Sequence, residues 1–155
     1  MTHPSASALG DWDRRFIELA FLEAKKSADN GGLPIGSVLA RGDQLLASGH
    51  NQRVQKGDPI AHGEMDCLRK AGRQKSYKDM TLYTSLSPCM MCSGTIVQFK
   101  IPRVVINDNE NFGGNEAFLE SQGVEVIIAE HSDSITQMRD FISSNPELWN
   151  EDIME

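Results

Sequence analysis

Four side chains in this sequence are of the types that together activate water: His62 and Glu64 in His62-Gly63-Glu64, and Cys89 and Cys92 in Pro88-Cys89-Met90-Met91-Cys92. One imidazole and two thiolates supply three ligands for a borderline-soft cation. Zinc sites with three protein ligands leave the fourth position to water, whereas structural sites close all four. Glu64 is the carboxylate left over, available to take a proton from that water. The chemistry implied is metal-assisted hydrolysis. Thiolate and imidazole favour zinc, although iron takes similar ligand sets.

Each of these residues has an ordinary alternative. A thioredoxin-like redox pair also places C-x-x-C at a helix start, but it has no need of H-x-E. A structural zinc knot would want a fourth thiol or imidazole, and Cys67 is the only spare thiol. Cys67 falls mid-helix, five positions after His62, and reads as a small buried residue. His62 alone would be a core or surface histidine, and Glu64 alone a solvated helix residue. Their pairing with two thiols reverses both readings.

The rest of the chain must be able to hold such a site. Its 155 residues, 39% hydrophobic and 24% charged, suit a single domain, 1–155, that buries a core without disulfide staples. Three cysteines, two of them in C-x-x-C, do not make a secreted disulfide framework. Met1 to Asp13 holds no apolar run of signal-peptide length, and no stretch approaches the roughly 20 apolar residues of a membrane span. A reducing, cytoplasmic setting fits, with no membrane partner. Net charge is −7, and from Asp108 onward 12 Asp/Glu face only Arg139. Nucleic-acid binders present a basic face to phosphate, so a small uncharged substrate fits better than RNA or DNA. Arg69, Lys70, Arg73, Lys75 and Lys78 read as a solvated helix end and loop.

Helical and extended patterns alternate along the chain. Phe16, Ala20, Ala24 and Ala28 repeat at four-residue spacing, predicting a helix over 13–28 that ends at Asn30-Gly31-Gly32. Strands are expected at 35–40 and 44–48 around the turn Arg41-Gly42-Asp43, and at 81–84, 101–106 and 124–129. Asp58-Pro59 predicts a helix running to Lys70, and Ser87-Pro88 another from about Cys89 to Phe99. Further helices are expected at 115–122, around 135–142, and as a last turn from Pro146 to Ile153. Strands separated by helical crossovers imply a three-layer α/β/α sandwich around a five-stranded mixed sheet, antiparallel in its first pair and parallel later. On that layout Cys89 and Cys92 share one side of a helix's first turn, where N–H groups and the dipole favour thiolate. H-x-E spacing then requires His62 in the first turn of its helix, with Glu64 approaching the water from another direction.

The order H-x-E then P-C-x-x-C is the signature of zinc-dependent nucleobase and nucleoside deaminases. Within that cytidine-deaminase-like superfamily the chain resembles the yeast-type cytosine deaminases over most of its length. The likeness covers Gly32-Leu33-Pro34-Ile35-Gly36, Gly49-His50-Asn51, Leu82-Tyr83-Thr84, Leu86-Ser87-Pro88-Cys89, Ile101-Pro102-Arg103, Asn111-Phe112 and Trp149-Asn150-Glu151-Asp152-Ile153. It implies a homodimer with one zinc per subunit, held by His62, Cys89 and Cys92. It implies that Glu64 takes a proton from the activated water, passes it to ring N3, and later protonates the departing amine. Attack at C4 of cytosine then gives uracil and ammonia. By the same resemblance the Ser87 carbonyl holds the amino group. Asn51, the Gly63 N–H and Asp152 meet the polar edge of the base. Phe112 and Trp149 clamp its faces, with Ile35 and Ile153 filling the apolar remainder, and 146–155 forms a lid.

On residue type alone, Asn51 is equally a turn residue, Phe112 and Trp149 are core, and Asp152 is a solvated acid in an acidic tail. The chain also departs from the yeast pattern at Ile60-Ala61, Met65-Asp66 and Gly113-Gly114-Asn115. Those departures leave isocytosine, or another amino-substituted pyrimidine or triazine, as alternatives to cytosine. A guanine or tRNA-adenosine deaminase of the same fold is the next reading, and a zinc-stabilised binding module the non-enzymatic one.

Overall fold

A computed structural model describes residues 8–155, so the expectation for Met1 to Asp13 lies in part outside the described residues. The elements are α1 (Asp11–Asp29), β1 (Gly36–Arg41), β2 (Gln44–His50), α2 (Arg53–Lys56), α3 (Gly63–Ala71) and β3 (Met80–Thr84), followed by α4 (Met90–Phe99), β4 (Arg103–Ile106), α5 (Glu116–Ser121), β5 (Glu125–Ile128), α6 (Ser132–Ser144) and α7 (Pro146–Asp152). The strands form one sheet in the order β2-β1-β3-β4-β5. β1 runs antiparallel to both β2 and β3, and β3, β4 and β5 are parallel. The expected antiparallel pair and parallel set are therefore both present. The α3 crossover carries the chain from β2 past β1 to β3, so β2 and β3 point the same way.

Alternation along the strands makes three layers. Leu39, Leu82, Val104, Ile106, Val126 and Ile128 pack with Cys67, Leu68, Ile96 and Leu119 of α3, α4 and α5. Their neighbours Val38, Ala40, Tyr83, Val105 and Ile127 pack with Phe16, Ile17 and Ala20 of α1. Successive strand residues point to opposite faces, and both faces are covered. Each fully buried Val, Leu or Ile contributes roughly 1.5–3 kcal/mol relative to exposure. A third cluster, Leu33, Ile35, Leu86, Met138 and Trp149, lies where α6 and α7 meet the loops leading into β1 and out of β3.

The helix expected from Asp58-Pro59 begins later, at Gly63. Asp58 uses its capping oxygen on a local turn: Ile60 N–H donates to Asp58 Oδ1 at 2.9 Å and Ala61 N–H to Asp58 O at 3.2 Å. Asp-Pro is turn chemistry as readily as helix-start chemistry, and tertiary packing selects the turn. The short helix α2 is not foreshadowed by any apolar periodicity. Gly49 explains how closely α3 lies on β2, since a Cβ there would sit 2.6 Å from Cys67 N and 2.7 Å from Asp66 Oδ2. Asp66 also accepts from His50 N–H at 3.1 Å, so the ends of β2 and α3 are tied together.

Candidate active site

Three loops converge beyond the carboxyl ends of β2, β3 and β4, the edge where open α/β sheets place their sites. Two of them end as helix N-caps. His62 caps α3 with φ −67° and ψ 163°, and Cys89 caps α4 with φ −69° and ψ 175°. The sequence reading put both residues inside the first helical turn; each stands one position before it. An extended cap residue can aim its side chain across the end of its helix, so the two caps meet while Glu64, the second residue of α3, approaches from the side. That removes the difficulty of H-x-E spacing on a regular helix.

His62 Nδ1 lies 3.5 Å from Cys89 Sγ and 3.8 Å from Cys92 Sγ, and the three donor atoms all fall within 4.8 Å of one another. Zinc bonds of about 2.0 Å to nitrogen and about 2.3 Å to sulfur at tetrahedral angles separate the two donors by about 3.5 Å. The donors therefore fit zinc without rearrangement. His62 Nε2 faces Asp152 Oδ1 at 3.6 Å, which favours the proton on Nε2 and frees Nδ1 as ligand.

Charge at the site is finely divided. A hydrogen bond from Cys92 holds the Cys89 thiol down to about 4 as thiolate, against burial and with help from His62. Cys92 is pushed up, first by its hydrogen bond to Cys89 and then by burial. Two thiolates so close call for a cation of more than one charge. Burial disfavours a charged His62, but the anions Cys89, Asp152 and Glu64 outweigh it and raise its pKa to about 9. Glu64 is 4% exposed, and burial, reinforced by the Cys89 charge, pushes it up to about 7. A carboxyl that exchanges its proton near neutrality is suited to general acid–base work.

The cleft beside these donors is lined by Ile35, His62, Glu64, Leu86, Ser87, Cys89, Phe112, Trp149, Asp152 and Ile153. Phe112 meets Trp149 edge-on, ring centres 5.9 Å apart at 86°. Burial raises the Asp152 carboxyl, with His62 and Asn51 opposing. Asn51 is fully buried; its Nδ2 donates to Asp152 Oδ1 at 3.3 Å, and its Oδ1 accepts from Arg53 N–H at 2.9 Å. Gly63 opens α3 against the preceding loop, where an added Cβ would lie 3.0 Å from Ile35 O. The Ser87 N–H donates to Asp108 O at 2.8 Å and its hydroxyl to Glu116 at 3.0 Å, leaving the carbonyl for other use. Every residue singled out in the sequence thus lies at this one place, including the acid in the acidic tail.

Two cleft features carry no signal in the sequence. Leu86 in its wall is one apolar residue among many, and Arg53 lines the adjoining cavity at its mouth and reaches α7 through an ion pair with Glu151. Of the positions that depart from the yeast pattern, Asn115 lines the cavity at the mouth of this cleft beside His62, Cys89 and Phe112, while Ile60, Met65 and Asp66 fall elsewhere. Ile60 is 51% exposed and, with Met65, lines a groove on the outer side of α3 and α4. Asp66 lies beneath His50, and Gly113-Gly114 belong to the loop behind Phe112. Gly114 and Asn115 are tied through Glu116 to the Ser87 turn, so of these changes the ones in the Phe112 loop are those that adjoin the cleft.

A second group of donors, Glu18, His131 and Asp133, is largely exposed. His131 Nδ1 accepts from Ser134 N–H at 3.3 Å as the cap of α6, so its proton sits on Nε2, which donates to Glu18 at 3.0 Å. That tautomer has no lone pair to offer a metal there. Among the described residues no helix is long and apolar enough to cross a membrane.

The family model for the cytidine and deoxycytidylate deaminase zinc-binding region matches residues 10–108. A cytosine deaminase of Candida albicans is 47% identical over 146 residues, 92% of this chain and 97% of that protein. A tRNA-specific adenosine deaminase of Streptococcus pyogenes is 34% identical over 106 residues, 66% of this chain and 67% of its own. Among solved structures, a tRNA:A34 deaminase superposes with TM-score 0.68 at 27% identity, covering 78% of this chain and 96% of that one. A guanine deaminase from Nitrosomonas europaea shares the fold with TM-score 0.70 at 20% identity, covering 86% and 85%. With its His-Cys-Cys donors and buried glutamate arranged as a zinc hydrolase requires, the chain belongs to the cytidine and deoxycytidylate deaminase family of zinc enzymes.

Proposed function

We propose that this protein hydrolytically deaminates free cytosine to uracil and ammonia. The observation that carries the reading is the wall of the cleft: Phe112, Trp149, Asp152 and Ile153 close over Glu64 and the metal donors, and Ile60, Met65 and Asp66 lie outside it. The 47% identity with the Candida albicans cytosine deaminase supports the same substrate.

His62, Cys89 and Cys92 would hold the zinc, whose positive charge would bring the pKa of a water molecule toward neutrality. Glu64, buried beside the metal donors but not one of them, would accept a proton from that water, deliver it to ring N3, and return one to the leaving amine. Phe112 and Trp149, edge-on to one another, form one aromatic wall against the ring rather than the two-faced clamp the resemblance implies, with Ile35, Leu86 and Ile153 as apolar packing. The Ser87 carbonyl accepts from the exocyclic amine, while Asn51 Nδ2, with one hydrogen committed to Asp152, offers its second to the base carbonyl. The Gly63 N–H serves the same polar edge. Asp152 has one oxygen facing Asn51 and His62, and the other accepts the N1–H of the ring. Only a free base carries that hydrogen; a nucleoside has its sugar there, against the segment 146–155, which we read as the lid.

An apolar groove of about 710 Å³ between the outer faces of α3 and α4 supports a homodimer, since Ile60, Met91 and Phe99 are exposed along it. Sedimentation that finds only monomer at micromolar concentration would remove that part of the reading. The need for Cys89 and Cys92 as free thiols supports a reducing, cytoplasmic setting. The substrate is tested by incubating zinc-loaded protein separately with cytosine, isocytosine, cytidine, guanine and adenine, and assaying ammonia. Release from cytosine and not cytidine is expected; release from cytidine or a purine alone would overturn the reading.

A further inference from the structure

Glu116 is a buried carboxylate, 8% exposed, with a demanding set of partners outside the cleft. Its Oε2 accepts from Ser87 Oγ at 3.0 Å, from Gly114 N–H at 2.9 Å and from Asn115 N–H at 2.9 Å. All three donors are uncharged. Burial opposes the charge, but the backbone amides and the Ser87 hydroxyl outweigh it and hold the carboxyl below its ordinary range. The neighbouring Asn115 adds a second tie, Nδ2 to Pro88 O at 3.0 Å.

These bonds join two pieces of the site that are far apart in sequence. One is the turn Ser87-Pro88-Cys89, which presents a carbonyl to the cleft and a thiol to the metal. The other is the loop that carries Phe112, which stands edge-on to Trp149. A hydroxyl and two amides meeting on one oxygen fix both pieces to a common point.

We propose that Glu116 is a positioning residue for the deamination, locking the Phe112 loop and the Ser87 turn into one rigid unit that sets the height of the slot for the base. It touches neither the base nor the metal. The inference rests on the proposed cytosine deaminase reading. Glu116→Gln keeps an acceptor at the same place; Glu116→Ala leaves a hydroxyl and two amides unpaired and lets the two pieces drift. Misplacement by about 1 Å can cost two orders of magnitude in rate.

The test is a cycle of wild type, Ser87→Ala, Glu116→Ala and the double variant, with Glu116→Gln beside them. It reads kcat and KM for cytosine at a temperature well below every Tm, together with zinc content. Glu116→Ala is expected to lower kcat/KM about 30-fold through a raised KM and reduced kcat, at unchanged zinc stoichiometry. Glu116→Gln should stay within about threefold of wild type, an order-of-magnitude allowance for a weaker neutral acceptor. Ser87→Ala should cost several-fold alone and nothing further once Glu116 is gone. A role confined to stability would lower Tm and leave KM alone, which overturns the proposal. So does an equal cost for Ser87→Ala with and without Glu116. If Glu116→Ala does not fold, the same cycle run with Glu116→Met, which keeps the bulk and removes the acceptor, decides, and purely additive losses overturn the proposal. Wild-type protein inactive on cytosine overturns the substrate reading, and this inference with it; a flat cycle in active protein overturns this inference alone.

Discussion

Glu64 and Asp152 are two buried carboxyls about the same cleft, and burial raises both. They differ in what surrounds them. His62 favours the charge and Cys89 opposes it at both, but Asp152 also has a hydrogen bond from Asn51 and the charge of Arg53 to favour its carboxylate. One is suited to hold a substrate hydrogen and the other to carry a proton. Glu64→Gln keeps the volume and removes the carrier. Its kcat should fall by about 10²–10⁴ while zinc stays bound, because Glu64 is not a metal ligand. Metal analysis alongside ammonia release checks this. Turnover within tenfold of wild type, or loss of zinc, would contradict the assigned role.

At the scale of elements, the site depends on where two helices begin. α3 and α4 start one residue after a ligand, so each ligand is an extended cap whose side chain can cross to the other helix. The third contribution is α7, which brings Trp149 and Asp152 to the cleft. It is held by the Arg53–Glu151 ion pair and by packing in the Leu33, Ile35 and Trp149 cluster. Ending the chain after Asn145 removes Trp149, Asp152 and Ile153 but none of the metal donors. The shortened protein should bind zinc and lose cytosine turnover. Unchanged turnover and KM would remove the lid from the account.

At the scale of the whole molecule, one ionic cluster fastens a face layer to the sheet. Arg103 of β4 grips Asp13 of α1 through two nitrogens, at 2.8 and 3.1 Å, and the Tyr83 hydroxyl of β3 donates to the same carboxylate. Burial pushes Asp13 up, but hydrogen bonds from Arg103, Tyr83 and the Gly10 N–H outweigh it, so the pKa is lowered from 3.8. A folded-state pKa below the unfolded value contributes stability that is full above the unfolded pKa and lost as pH falls through the folded one. Asp13→Asn should therefore cost about 2–3 kcal/mol at pH 7. Its deficit against wild type should begin to close only as pH falls toward 3.8 and continue closing below it. Paired urea unfolding at pH 7, 5 and 3 checks this, and pairing cancels the pH dependence of the shared zinc site. A deficit that shrinks between pH 7 and 5 would contradict the assignment.

The identity of the donors, the spare glutamate and the alternation of strand and helix were legible in the sequence, because each depends on residue type and short spacing. Sheet composition followed from connection lengths, which separate hairpin from crossover. The start of α3 is not legible in the sequence, since Asp58-Pro59 serves a turn as well as a helix and only packing against β2 chooses between them. Likewise, no local pattern distinguishes Asp152 from the other acids of the C-terminal third, or Glu116 from a solvated helix residue. What composition and spacing determined is the reaction chemistry: which atoms grip a cation and which carries a proton. What the tertiary structure decided is the shape around it, because the cleft wall joins residues from 35 to 153 whose distances depend on how helices seat on a sheet. Chemistry resides in side-chain types, and selectivity in the separation of chain segments that only the folded core can fix.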